Sequence, residues 1–105
     1  GPDIIYAYHP ATARREEIRM KKVKMFYLRN CPYCKEALRW MDEVRAETPR
    51  FEQVEVELIE ERQQAQLADT YDYYYVPAYY VDEEKVHEGA VSKRIVENVF
   101  HRAAQ

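Results

Sequence analysis

Apolar residues along this chain change period several times, and each change marks an element. Val23–Leu28 (VKMFYL) is a strand-length apolar run, the pattern of a central strand buried on both faces. From Cys31 to Glu47 the period becomes helical: Ala37, Trp40, Met41 and Val44 fall at i, i+3, i+4 and i+7. Pro32 suits the first turn of that helix, where a missing N–H is harmless. Thr48-Pro49 ends it, because a residue before proline is pushed out of helical geometry. Val54, Val56 and Leu58 then alternate with Glu55 and Glu57, which predicts a strand with one wet face. Glu60–Ala68 (EERQQAQLA) holds strong helix formers and few apolar anchors, so it predicts a surface helix. Ala78–Val81 and Lys85–His87 predict two short strands around a turn at Asp82–Glu84. Ser92 is placed to cap a last helix striped by Ile95, Val96, Val99, Phe100 and Ala103.

The resulting order, β-α-β-α-β-β-α, predicts an α/β fold. Its first half requires a right-handed parallel crossover and its last two strands an antiparallel hairpin. Three helices would flank a four-stranded mixed sheet. This domain spans residues 20–105. Residues 1–19 read as an extension. Gly1-Pro2 resembles a protease scar left by expression, Asp3–Pro10 is apolar and aromatic, and Ala11–Arg19 predicts a short helix capped by Thr12. The extension is expected to lean on the domain or on a second copy, giving a monomer or a weak dimer.

Composition narrows the function. A chain of 105 residues is one domain on size grounds. With 47% hydrophobic and 33% charged residues it is neither disordered nor membrane-spanning. No apolar run approaches the ~20 residues of a transmembrane helix, and no signal-peptide core is visible. No membrane partner is therefore expected. The formal net charge of -3 argues against nucleic acid as a partner. Only 2 Gly leave no glycine-rich phosphate loop. Of the 10 Tyr, several crowd between Tyr71 and Tyr80, either as strand and core filler or as an aromatic wall beside a site.

The two cysteines are too few for a disulfide scaffold, and both sit in one C-x-x-C, Cys31-Pro32-Tyr33-Cys34. The motif follows an apolar strand and opens an amphipathic helix. A helix N-terminus presents unpaired N–H groups and partial positive charge, which stabilises a thiolate. Arg29 and Lys35 add positive charge on either side. Cys34, Leu38 and Met41 follow the apolar i, i+4, i+7 stripe, so Cys34 should face inward. Cys31 lies at the tip. These positions assign Cys31 as the exposed nucleophile and Cys34 as the resolving thiol. Three other readings compete. A structural disulfide across so short a loop removes little unfolded-state entropy. Zinc requires about four ligands, and His9, His87 and His101 are scattered, so no metal is expected. A redox-inert pair is the third.

Cys31-Pro32-Tyr33-Cys34 matches the dithiol glutaredoxin motif, and Tyr75-Val76-Pro77 resembles the V-P element of the thioredoxin superfamily. The chain is therefore similar to a glutaredoxin-like protein of that superfamily over about residues 21–103. The resemblance implies a thioredoxin fold and a thiol–disulfide oxidoreductase acting on disulfide-containing proteins or glutathione mixed disulfides. It implies a cis Pro77 facing the thiols and leaving the Val76 backbone free to pair with an extended substrate. Glutathione is the implied co-substrate, with no bound cofactor, and Arg29, Tyr33, Val76, Pro77 and Ser92 are the implied binding residues. Pro32 and Lys35 support the motif. The match is a hybrid. The usual lysine three residues before the first cysteine is Leu28, and Glu88-Gly89-Ala90-Val91-Ser92 stands where the family shows Gly-Gly and an acid. Glu88 would repel the negative glutathione molecule. Gly89-Ala90-Val91-Ser92-Lys93 looks thioredoxin-like, yet the thioredoxin Trp is Asn30 and its buried acid is Met25. Recharging by a flavoprotein reductase, or a non-catalytic binding module, are the alternatives. Reducing donors imply a cytoplasmic location.

Overall fold

The computed structural model describes residues 20–105. The expectations for Asp3–Pro10 and Ala11–Arg19, and for an interchain role of this extension, lie outside the described residues. The elements are β1 (Val23–Tyr27), α1 (Pro32–Glu47), a 3-10 helix (Pro49–Gln53), β2 (Val56–Glu60), α2 (Ala65–Ala68), β3 (Ala78–Val81), β4 (Glu84–Glu88) and α3 (Lys93–Ala103). The strands form one sheet in the order β2-β1-β3-β4. β1 pairs with β2 in parallel, through the α1 crossover, and with β3 antiparallel. β3 and β4 make the antiparallel hairpin. Among the described residues no helix is long and apolar enough to cross a membrane.

Strand alternation divides the core into two layers. Val23, Met25, Tyr79 and Val81 meet Ala37, Met41 and Val44 of α1 and Val96, Val99, Phe100 and Ala103 of α3. Phe26, Ile59, Ala78 and Tyr80 point the other way, where Ala68 and Leu67 of α2 and the rings of Tyr71 and Tyr73 cover them. Phe26 stacks within 4.7 Å of Tyr71 and 5.0 Å of Tyr73.

Three boundaries differ from the pattern reading. The second strand runs from Val56 to Glu60 and not from Val54 to Leu58. Val54 is buried ahead of the strand, while Leu58 is 42% exposed, because β2 is an edge strand and Leu58 lies outside the cluster under α1 and α3. The second helix shrinks to Ala65–Ala68, since Glu60 ends β2 and its carboxylate accepts the N–H groups of Arg62 and Gln63, folding the chain into a turn. The hairpin turn has only two residues, Asp82 and Glu83, with φ of 48° and 69°. Positive φ at both positions is the connection whose twist matches the flanking strands. Asp82 is held there by exchanging hydrogen bonds with the Lys22 backbone at 2.8 and 3.0 Å, and the Glu83 carboxylate accepts from Lys24 and Tyr71.

Candidate functional site

The C-terminal end of β1 collects the chemistry. Beyond Tyr27 the chain turns through Leu28–Asn30 into α1, with the Cys31 N–H donating to the Leu28 carbonyl at 3.2 Å. In the β1–β3 register Phe26 pairs with Ala78, so Val76-Pro77 lies beside the turn that carries the thiols. Ala78 also pairs with Glu88 of β4, and the Gly89 N–H donates to the Pro77 carbonyl at 2.9 Å. On the other side of β1, the register brings Glu60 opposite Tyr27. Four segments distant in sequence thus meet at one sheet end.

Cys31 is the N-cap of α1, in extended backbone (φ -86°, ψ 120°), and its side chain makes no capping bond. Its carbonyl accepts from the N–H groups of Cys34 and Lys35 at 3.1 and 3.0 Å, starting the helix. No acid stands in that first turn, and Pro32 occupies its first position. Cys31 is half-buried, whereas Cys34, one turn in, is 1% exposed. Both are free thiols. Burial pushes the Cys34 thiol up to about 12; a hydrogen bond from the Leu28 backbone partly offsets this, and its contact with Cys31 and the charge of Glu61 add to it. Cys34 is accordingly a protonated, sheltered thiol beside a reachable one.

The opposing wall is Tyr75-Val76-Pro77. The Val76-Pro77 peptide bond is cis, Pro77 is buried and Val76 half-buried. Tyr33 (60% exposed), Tyr74 (85%) and Tyr75 (69%) are the large exposed rings of the thiol motif and the 71–80 stretch. Tyr71, Tyr73, Tyr79 and Tyr80 are filler. Most of the tyrosine-rich stretch is thus core filler, and Tyr74 and Tyr75 alone among its tyrosines stay exposed. Arg29 and Lys35 are exposed beside the motif, and Arg29 also contributes its backbone N–H to the site's frame. The Ser92 hydroxyl is engaged elsewhere: it accepts the Ile95 N–H at 3.2 Å as the cap of α3.

Two residues that pattern reading passed over shape this end. Glu60 is only 6% exposed, and its carboxylate accepts Arg29 N–H at 2.9 Å, Arg62 N–H at 2.7 Å and Gln63 N–H at 3.0 Å. Those bonds, the Arg29 one foremost, hold the carboxyl below its ordinary range and pin the thiol turn to β2. Glu61 follows, its N–H on the Tyr27 carbonyl at 2.8 Å and its carboxylate accepting Tyr73 O–H at 2.7 Å. The available signal was one of composition: two acids at the end of an apolar strand, where one had to be buried. Among the described residues no cluster of His, Cys, Asp and Glu has the makings of a metal site.

A half-exposed thiol and a buried one, at a strand-to-helix turn faced by a cis-proline, make a dithiol centre on a thioredoxin fold. The chain belongs to the thioredoxin domain family, whose model matches residues 21–101. Solved structures agree in fold. An uncharacterised thioredoxin-like protein from Clostridium perfringens is 25% identical with a TM-score of 0.61, covering 81% of this chain and 71% of its own. A thioredoxin mutant from Halobacterium salinarum is 19% identical with a TM-score of 0.61, covering 81% and 75%. Oxidised thioredoxin from Plasmodium falciparum is 9% identical with a TM-score of 0.63, covering 92% and 93%. No curated protein sequence matches significantly.

Proposed function

We propose that this protein is a thiol–disulfide oxidoreductase that reduces disulfides in extended polypeptide segments. The observation that carries the reading is the inequality of the two thiols, Cys31 half-buried and uncommitted and Cys34 buried beside it. The Cys31 thiolate attacks one sulfur of the substrate disulfide and expels the other as a thiolate. Cys34 then gives up its proton and attacks the Cys31 sulfur. The substrate's second thiol leaves, and a Cys31–Cys34 disulfide remains. Two electrons have passed to the substrate. Burial of Cys34 suits the second step, since a thiol with so high a pKa stays protonated until the mixed disulfide positions it. Among the described residues the Val76 N–H and C=O enter no backbone hydrogen bond, which leaves them for a substrate strand.

A flavoprotein reductase of the thioredoxin-reductase type is the donor this site suits best. Membership of the thioredoxin domain family supports it, and so does Glu88 at the glycine position of a glutathione clamp. Glutathione is the second reading, favoured by the Cys31-Pro32-Tyr33-Cys34 tetrapeptide, with Arg29, Tyr33, Val76 and Pro77 as its contacts, Ser92 being taken up as the cap of α3. A reducing donor of either kind fits the cytoplasm. Insulin reduction driven by each donor system tests all of this. Saturable turnover with the flavoprotein is expected, with Cys31→Ser inactive and Cys34→Ser trapped as a mixed disulfide. A rate no higher than the dithiothreitol background would leave a binding module. Saturation by glutathione alone would reverse the choice of donor.

A further inference from the structure

Glu88 is the acid at the thiol end of the sheet whose bonds reach the substrate-facing wall. It closes β4 opposite Ala78, one residue from the cis-proline, and the next N–H, that of Gly89, is bonded to Pro77. One of its carboxylate oxygens accepts Tyr74 N–H at 2.7 Å and Tyr75 N–H at 3.0 Å. The other accepts the Lys85 ammonium at 2.6 Å. Two consecutive amides and an ammonium are the donor set of an anion site. Here the chain's own carboxylate fills it. The Lys85 bond first, and then the two amides, hold Glu88 down to about 2, so it is ionised wherever thiol exchange runs. The charge of Asp72 also reaches Lys85, and two acids against one lysine leave this corner negative.

The filled donors directly precede Val76, whose backbone would pair with the substrate. An anionic ligand lying along Val76 therefore finds the Tyr74 and Tyr75 amides already occupied by a carboxylate and meets negative charge there in place of a counterion. Tyr74 and Tyr75, the residues that own these amides, are exposed, and their ring faces suit neutral or cationic groups.

We infer that Glu88 is a charge filter: the site accepts disulfides flanked by neutral or cationic groups and disfavours anionic peptide disulfides. The filter rests on the dithiol reading above, so its test includes a substrate that separates the two. Reduced protein is mixed with cystamine (cationic), bis(2-hydroxyethyl) disulfide (neutral) or oxidised glutathione (anionic), and formation of the Cys31–Cys34 disulfide is followed by acid quench and mass spectrometry. Each turnover consumes one disulfide and yields two small thiols. Glu88→Gln is expected to raise the oxidised-glutathione rate on the order of tenfold relative to the neutral disulfide and to lower the preference for cystamine. Added salt should raise the glutathione rate of the unaltered protein through screening, and should raise it less in Glu88→Gln, which separates Glu88 from the net charge of -3 on the whole chain. A glutathione-to-neutral ratio that the substitution leaves unchanged, in a variant that still reduces the neutral disulfide at the rate of the unaltered protein, would overturn the filter. Failure of the unaltered protein to react with the neutral disulfide would overturn the dithiol reading instead.

Discussion

The two faces of the sheet are built by different means. One is covered by α1 and α3, whose apolar stripes close over Val23, Met25, Tyr79 and Val81. The other has a single helical turn, and tyrosine rings from the 71–80 stretch do the rest, with Tyr71 and Tyr80 4.9 Å apart edge to face. The division runs through the site. The helical face holds α1 and with it both cysteines; the aromatic face anchors the loop that leads to Val76-Pro77. The half covered by two helices carries both cysteines, and the more lightly covered half carries the Val76 backbone proposed to pair with substrate. That division suits the proposed pairing of Val76 with an extended substrate, because ligand-binding segments are drawn from the less stable parts of a fold.

Breaking each face in turn should expose the difference. The largest effect belongs to Phe100→Ala. Phe100 is fully buried, edge-on to Phe51 at 5.7 Å, with Arg45 over its ring. Truncation should cost about 3–5 kcal/mol, read by denaturant unfolding. On the other face, Tyr71→Ala removes a half-buried ring and should cost about 1–2 kcal/mol globally. Its sharper signature is local: amide exchange should quicken across residues 70–76 while α1 keeps its protection. Equal loss of protection in both would erase the distinction between the faces.

Glu60 ties the two halves together, and acid should reveal it. Its carboxyl is held below the usual value by the N–H groups of Arg29, Gln63 and Arg62. A depressed native pKa contributes stability that is fully present above the unfolded value, about 4.3, and is lost as pH falls through the native one. Glu60→Gln should therefore be less stable at neutral pH, and the gap from the unaltered protein should narrow progressively as pH falls below the unfolded value of about 4.3. A gap independent of pH would mean that the carboxylate's charge contributes nothing. The smallest effect, on stability at least, concerns Cys34. With its thiol near 12 and its sulfur buried, native reduced protein at mildly alkaline pH should take up one iodoacetamide, at Cys31. The second should follow only on unfolding, by mass spectrometry.

Much of this was legible in the linear pattern, and the reason is the same wherever it was. α1 and α3 carry their own period, so Ala37, Met41, Val44, Val96, Val99 and Phe100 identified their buried side without reference to anything else. Cys34 sat on that stripe and was buried; Ser92 stood before the other and capped it. Tertiary structure decided what has no period. The second strand slid to Val56–Glu60 because its place at the sheet edge, and not its alternation, set which residues were covered. Glu60 became a buried strut because three amides converge on it, two of them local and one from the thiol turn. Glu88 acquired its role from Tyr74 and Tyr75, which are 14 and 13 positions away in sequence. Periodicity records how an element is buried against a layer. A carboxylate's partners are fixed only when separate segments arrive at the same point, and no pattern along one segment encodes that arrival.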